Sequence, residues 1–559
     1  MRRWLREPLF WILLAAAALR LTGPFWGLPA SDGWDDDGFA PRNFLTALAL
    51  TWKTGSYFTY PPLHALLLAL PSVPVVAWAL AQAPSLSQHD VIATITQPQY
   101  MTYFAVVARL VGIAMSLGII WTIGAMARLV AGRRAGLFAA GAAALNVGLT
   151  YYGQVSNLDV PCLFWAMLSL LFGMRAVLEQ KPGRFWWAAL FAAAAIATKD
   201  QAYAIFVVSL PLFMALWFVA DPWPRRNART VLVTLALAAV AAILALLLVD
   251  GAITNPAGFL KRMAFLSGPA SQDYAEYHRG MAGALALLGD MFHHYMYGVG
   301  AVTVALAVMG LVAFALQARG VLRIAGLLPA LAAISFTLCF NLAALRTDDR
   351  FLLPQALMAC VYIGIAAAFV LKARPRLRPV AVVVLAVTGL LSLHQAMAVD
   401  AAMLLDPRYN AESWMAVHVR PGDTIETYGQ NCFLPRFPLT ARVSRIGPGD
   451  LKLRSPLPGV TELRQPFSAP RSPRFIVVSG AWALRYLRPE LPLKSGHLYS
   501  RLQQADFRNT DARGHFAALD GGRMPYRLVH VARYQGRFWP ALHMHDSLDE
   551  PIGIYERLP

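Results

Sequence analysis

The chain has 559 residues, 57% of them hydrophobic and only 14% charged, with a formal net charge of +18. A soluble globular domain carries about a quarter charged residues. This composition, with many apolar runs near the ~20 residues that cross a bilayer, excludes an ordinary soluble protein and predicts a polytopic α-helical membrane protein. The basic balance needs no nucleic acid to explain it, because the arginines gather between apolar runs as they do in cytoplasmic loops, where anionic membrane lipids are sufficient partners.

Met1-Arg2-Arg3-Trp4-Leu5-Arg6 precedes the first apolar run, and no small-x-small cleavage site follows. The run is read as a retained helix and not as a signal peptide. About eleven spans are expected, near 8–28, 101–127, 135–152, 158–177, 185–200, 202–220, 230–250, 296–317, 324–344, 351–371 and 379–399. Arg128, Arg133 and Arg134 follow the second; Arg175, Lys181 and Arg184 the fourth; Arg225, Arg226 and Arg229 the sixth; Arg319 and Arg323 the eighth; Lys372, Arg374, Arg376 and Arg378 the tenth. Every second gap is therefore basic, which places the N-terminus in the cytoplasm and the loop 29–100 and the tail outside. Residues 61–83 are apolar too, but a crossing there would break the alternation. Pro61, Pro62, Pro71 and Pro74 also argue against a straight helix, so 41–83 is predicted as helices lying on the outer interface.

The segment 251–290 is a second long external connection, carrying Asp273, Tyr274, Glu276, Tyr277, His278 and Arg279, and reads as a lid or as a solvated connector. Beyond Asp400 the hydropathy falls. Strand-like runs at Thr424–Tyr428, Phe475–Ser479, Tyr526–Ala532 and Ile552–Tyr555, punctuated by Gly and Pro, predict a small external α/β domain over 401–559 behind a transmembrane domain over 1–400. Of four cysteines, Cys162, Cys339 and Cys360 lie in apolar runs and Cys432 stands alone, so no disulfide framework or zinc spacing is present. His543-Met544-His545 has no further ligand set and reads as a surface strand.

The chemistry concentrates at the outer ends of the spans. Asp32-Gly33-Trp34-Asp35-Asp36-Asp37 follows the first span, and carboxylates beside hydrocarbon are costly enough to suggest function. Arg109 lies a turn or two inside the second span, Asn157 and Asp159 open the fourth, Lys199-Asp200 lies between the fifth and sixth, and Arg346, Asp348, Asp349 and Arg350 lie between the ninth and tenth. Singly, each has a structural reading as good: Arg109 snorkels, Asp159 caps its helix, Lys199-Asp200 is a short hydrated loop. Together on one face they form a mixed-charge pocket. A carboxylate there can take a proton from an acceptor hydroxyl, and cations can hold a phosphate as it leaves, which are the parts for displacing a lipid phosphate from a sugar.

These motifs resemble the GT-C superfamily of membrane glycosyltransferases, nearest the protein O-mannosyltransferase and lipid A aminoarabinose transferase group. Asp35-Asp36-Asp37 stands where that group has an acidic pair, although three acids leave the register open. Tyr60-Pro61-Pro62-Leu63-His64 resembles its His-Pro-Pro-Leu motif, with the histidine after the prolines and not before them. Arg109, the stretch Asn157-x-Asp159-x-Pro161, Arg350-Phe351-Leu352-Leu353-Pro354 and Arg20 match further short motifs, and the resemblance spans 8–400. It implies GT-C-like interface helices and inverting sugar transfer. Asp36 would be the base, with Asp35 and Asp37 as alternatives. Arg109, Lys199 and Arg350 would hold the donor phosphate, and His64, Asn157, Asp159 and Tyr60 would bind substrate. Some members take a divalent cation (Mg or Mn) and some do not; no cofactor is expected to be required, although Asp35–Asp37 with Asp159 have the oxygens for one.

The implied partners are a polyprenyl-phosphate-linked sugar, a glycolipid, polysaccharide or protein acceptor, and membrane lipids. The Ala-, Arg- and Leu-rich composition suits a bacterium of GC-rich genome, so an inner-membrane enzyme of cell-envelope glycan synthesis with a periplasmic site is expected. The alternative is a transporter or flippase of lipid-linked sugars. Such sites lie near the bilayer midplane and often come with internal repeats, whereas here the charges gather at one face and no repeat is evident.

Overall fold

In hydrocarbon the backbone has no hydrogen-bond partner but itself, so long apolar runs fold as helices. The computed structural model describes residues 7–30, 33–35, 38–39, 41–372, 376, 378–447, 457, 459–487, 493–534, 536 and 548–559. Among these, nine helical stretches are long and apolar enough to cross a membrane: Leu63–Gln82, Pro98–Ala144, Asp159–Leu178, Asp200–Ala220, Ala228–Val249, Met281–Gln317, Gly320–Ala344, Asp349–Val370 and Arg378–His418. Pro8–Arg20 and Arg184–Ile196 are apolar but shorter. Each expected span falls on one of these stretches. Pro98–Ala144 takes two, because Gly132 at φ 87° and ψ 178° kinks it. The first helix ends at Arg20, short of residue 28, and the chain then turns.

The prolines do not break 63–82. Pro61 and Pro62 precede a single helix, Leu63–Gln82, and Pro71 and Pro74 lie inside it. Each removes one backbone donor, but in an apolar run the remaining bonds have no better partner than the helix itself. This helix and Pro41–Leu50 pack on Pro98–Ala144 through Phe44, Ala65, Leu68, Tyr100 and Phe104. The main core lies among Pro98–Ala144, Asp159–Leu178 and Asp349–Val370. Small residues let the backbones close up there: a Cβ on Gly364 would lie 2.4 Å from the Ala135 carbonyl.

Beyond Arg378–Leu404 the chain turns into the helix Pro407–His418 and a six-stranded sheet. Its strands are β1 (Thr424–Tyr428), β2 (Arg442–Ile446), β3 (Val460–Leu463), β4 (Phe475–Ser479), β5 (Tyr526–Ala532) and β6 (Ile552–Arg557), in the order β3-β2-β1-β4-β6-β5. The first four run parallel; β6 is antiparallel to β4 and β5. Alternating side chains bury both faces. Ile425, Val443, Phe475 and Val477 pack with Ala411 and Met415 of Pro407–His418, and Tyr428, Ile446, Ile476 and Val478 pack under Gly480–Leu487 and Thr510–Asp520. The four expected strands are present, and β2 and β3 are additional.

Candidate active site

Two buried arginines lie beneath the acidic loop's approach: Arg20 ties the first helix to Pro98–Ala144, and Arg109 holds the loop itself. Arg20 donates to the carbonyls of Ala16 (3.0 Å) and Ala144 (3.2 Å). Arg109, only 1% exposed, donates through Nη1 to the carbonyls of Gly23 (3.3 Å), Pro24 (2.9 Å) and Trp26 (2.8 Å). Its fork thus faces the loop backbone. The loop passes so close that a Cβ on Gly33 would lie 2.2 Å from Arg109 Nη2. Asp35 follows, largely buried, and accepts a long 3.5 Å bond from the Tyr151 hydroxyl. Asp36 and Asp37 lie outside the described residues, as do His543 and His545.

Two further ion-pair clusters meet at Lys199-Asp200. Asn157 Oδ1 accepts from the Asp159 amide at 2.6 Å, fixing the start of the helix Asp159–Leu178. Asp159 Oδ1 then pairs with Lys199 Nζ at 2.6 Å, both groups buried. Asp200 faces the other way: it accepts two bonds from Arg262 Nη1 (2.9 and 3.0 Å), while Arg262 Nη2 takes Asp250 at 2.6 Å. Arg262 belongs to the helix Pro256–Ser267 in the long connection 251–290 and is fully buried. Asn255 donates to the carbonyls of Thr51 (3.1 Å) and Ser56 (2.8 Å), so the segment 251–290 is docked on residues 51–56 and is not a solvated connector.

The buried ring of Phe351 gathers cations. Arg346 lies 4.5 Å from its centroid, Arg350 4.7 Å and Lys199 5.9 Å, within range of ring–cation attraction. Arg350 also approaches Asp348 at 3.6 Å. Lys199 and Arg350, expected to serve one phosphate, are thus brought together, while Arg109 is engaged with loop carbonyls. His64 and Tyr60 both pack on Phe39, with ring centroids 6.3 and 5.9 Å away. Phe39 in turn donates its amide to the Ser156 carbonyl, next to Asn157.

A groove of about 880 Å³ runs between the helices, lined mostly by apolar side chains, with Arg134 and Arg378 at one end and Asn146, Tyr295 and Gln355 towards the other. It adjoins a chamber of about 60 Å³ and shares Asn146, Val147, Tyr295, Gly298, Val299 and Ala356 with it. Tyr151, Tyr152, His294 and Asp349 complete the chamber's polar wall. None of those four except Asp349 stood out in the sequence, nor did Arg262; a paired Tyr-Tyr and a His-His beside apolar runs were the only signals. Among the described residues no group of three His, Cys, Asp or Glu is set to hold a metal, and Asp159, a candidate oxygen ligand, is paired with Lys199.

Residues 102–249 match the family model of dolichyl-phosphate-mannose-protein mannosyltransferase. The matched segment holds Arg109, Asn157, Asp159 and Lys199. The match bears out the resemblance drawn from the motifs and the assignment as a membrane glycosyltransferase. Among curated proteins none matches the chain. Solved structures of similar course include ArnT from Cupriavidus metallidurans in the apo state (TM-score 0.47, 12% identity, 97% of each chain). The same protein bound to undecaprenyl phosphate gives TM-score 0.45 and 14% identity over 87% of this chain and 97% of that one. The Archaeoglobus fulgidus oligosaccharyltransferase in complex with Zn and sulfate gives TM-score 0.45 and 14% identity over 94% of this chain and 79% of that one.

Proposed function

We propose that this protein transfers a sugar from a polyprenyl-phosphate donor to an acceptor hydroxyl or phosphate, with inversion at the anomeric carbon, on the periplasmic side of a bacterial inner membrane. The observation that carries the reading is a groove and a chamber side by side: an apolar groove of tail-like character shares a wall with a polar chamber lined by Tyr151, whose hydroxyl reaches Asp35. A lipid tail, its phosphate and a carboxylate base then lie in series. The alternation of basic gaps supports the sidedness.

In this mechanism an aspartate of the acidic loop takes the proton of the acceptor hydroxyl as its oxygen attacks the anomeric carbon. The bond to phosphate breaks with its electron pair going to the lipid phosphate, whose charge Lys199 and Arg350 stabilise. Asp36 is the proposed base, with Asp35 and Asp37 as alternatives. Arg109 holds the loop that carries them, Asn157 and Asp159 orient Lys199, and His64 and Tyr60 support the loop through Phe39 and face the substrate. The reaction as written needs no cofactor; a divalent cation, if one assists, would be met by the acidic loop. The acceptor class, whether glycolipid, polysaccharide or protein, is set by surfaces beyond this groove and chamber.

The test is transfer of labelled sugar from a panel of polyprenyl-phosphate donors by the purified full-length protein with membrane-extract acceptors. Asp36→Asn is expected to lower turnover by about 100-fold or more, the range for a lost general base. Full activity in Asp35→Asn, Asp36→Asn and Asp37→Asn would remove the proposed base. Facilitated donor flipping in liposomes without transfer from any donor would favour the transporter reading.

A further inference from the structure

The chamber beside the groove contains a histidine that the mechanism above does not use. We propose that His294, held by Asp349, is a ligand of the lipid phosphate; this rests on the donor reading of the groove. His294 ends the helix Met281–His294, and its Nε2 lies 3.0 Å from Asp349 Oδ1. Asp349 opens the helix Asp349–Val370, immediately before Arg350. The next residues after His294, Tyr295–Gly300, form a π-helical stretch, a widened turn found frequently at functional sites. The Tyr295 hydroxyl donates to the Leu352 carbonyl at 3.0 Å, fixing this stretch against the helix that carries Asp349. Gly298 leaves bare backbone beside the imidazole: a Cβ there would lie 3.6 Å from Nε2.

The chemistry of the chamber singles this side chain out. An anionic head group drawn in behind an apolar tail needs a donor of positive charge, because burying an unpaired anion is costly. Among the residues lining the chamber, His294 alone can carry such a charge; the other polar ones are Asn146, Tyr151, Tyr152 and Asp349. His294 meets Asp349 through Nε2 and would meet a phosphate oxygen through Nδ1. That bond to phosphate is charge-assisted and about twice as strong as a neutral one. His294 then holds the phosphate within the chamber, and Arg350, the residue after Asp349, lies with the cations around Phe351. The plainer role, a tie between two helix ends, makes no distinction between a charged and an uncharged lipid head.

The experiment compares two probes, undecaprenyl phosphate and undecaprenol, binding to the full-length protein in nanodiscs. The wild type is expected to bind the phosphate more tightly than the alcohol. His294→Gln is expected to lose about 10-fold or more of affinity for the phosphate, the size of a lost charged hydrogen bond, while its affinity for undecaprenol stays within about twofold. Equal losses for both lipids would show a structural tie and overturn the proposal. An undiminished preference for the phosphate in His294→Gln would overturn it too, with the donor reading intact. A wild type without preference for the phosphate would remove the donor reading itself. Should His294→Gln not fold, Asp349→Asn keeps the imidazole but removes its carboxylate; a smaller loss confined to the phosphate is expected, and full retention there overturns the proposal.

Discussion

A buried charge is decided by its partner. Asp159 and Lys199 are 40 residues apart in sequence, and each was visible as a charge at the end of an apolar run. Their 2.6 Å pairing was not, because only the packing of Asp159–Leu178 on Arg184–Ile196 brings them together. Lys199→Ala leaves the Asp159 carboxylate buried without its cation and is expected to cost about 3–5 kcal/mol of stability. Asp159→Asn with Lys199→Met, which removes both charges, is expected to cost less than Lys199→Ala alone. Thermal unfolding of the purified variants measures both, and strictly additive effects would show that the two groups are not coupled. Sugar transfer is expected to fall in every variant that lacks the ammonium. Arg109 makes the limit of sequence reading concrete: an arginine early in a span reads the same whether its fork meets a phosphate or, as here, three backbone carbonyls. Tyr151 and His294 carry no local pattern beyond a doubled residue, Tyr-Tyr and His-His; the chamber that they line is what marks them.

Elements were legible where their period was simple. The apolar runs became helices near the expected positions, and the strands with clean hydrophobic runs, β1, β4, β5 and β6, fell where expected. β2 and β3 escaped because charged residues interrupt them: Arg445 is buried in β2, satisfied sideways by Glu462 of β3 at 2.7 Å and Asn431 at 2.6 Å. The far face of the same sheet carries a titratable contact. The Tyr428 hydroxyl at the end of β1 meets His515 Nε2 at 2.8 Å beneath the helix Thr510–Asp520. Burial holds His515 below the usual histidine value, opposed by the charges of Glu426 and Asp511 and reinforced by Arg471. The unfolded chain therefore takes up this proton near pH 6.5, while the folded chain resists it. The contribution to stability is full above about pH 6.5 and is lost progressively as the pH falls below it. Amide-exchange protection of Thr424–Tyr428 in the whole protein, corrected for intrinsic rates, is expected to drop between pH 7.5 and 5.5. His515→Gln should flatten that slope, and an unchanged slope would assign it to another group.

At the scale of the molecule, the sheet unit and the membrane helices meet on the acidic loop. Arg408 is fully buried, its Nε and Nη2 on Asp406 at 2.8 and 2.6 Å. Its guanidinium lies 4.4 Å from the ring of Trp34, the residue before Asp35, and 5.4 Å from Trp26. Trp26 Nε1 donates to Asp406 at 2.9 Å, the Gly27 amide donates to the Tyr409 hydroxyl at 3.1 Å, and Arg436 donates to the Leu28 carbonyl. The loop is thus fixed between Arg109 on one side and the start of the sheet unit on the other. Residues after the last span therefore take part in placing Asp35, a role that nothing in their composition announced. Arg408→Ala is expected to loosen the loop and lower turnover by about 10- to 100-fold, since a misplacement of ~1 Å at a reacting group costs about that much. The groove is built by other helices, so affinity for undecaprenyl phosphate should stay within about twofold. Arg408→Lys keeps the charge but not the two-pronged geometry and should recover only part of the turnover. Tyr409→Phe, which removes one hydroxyl, should give a smaller fall in the same direction. Turnover and lipid affinity falling together would mean that the sheet unit supports the whole bundle and not the loop in particular.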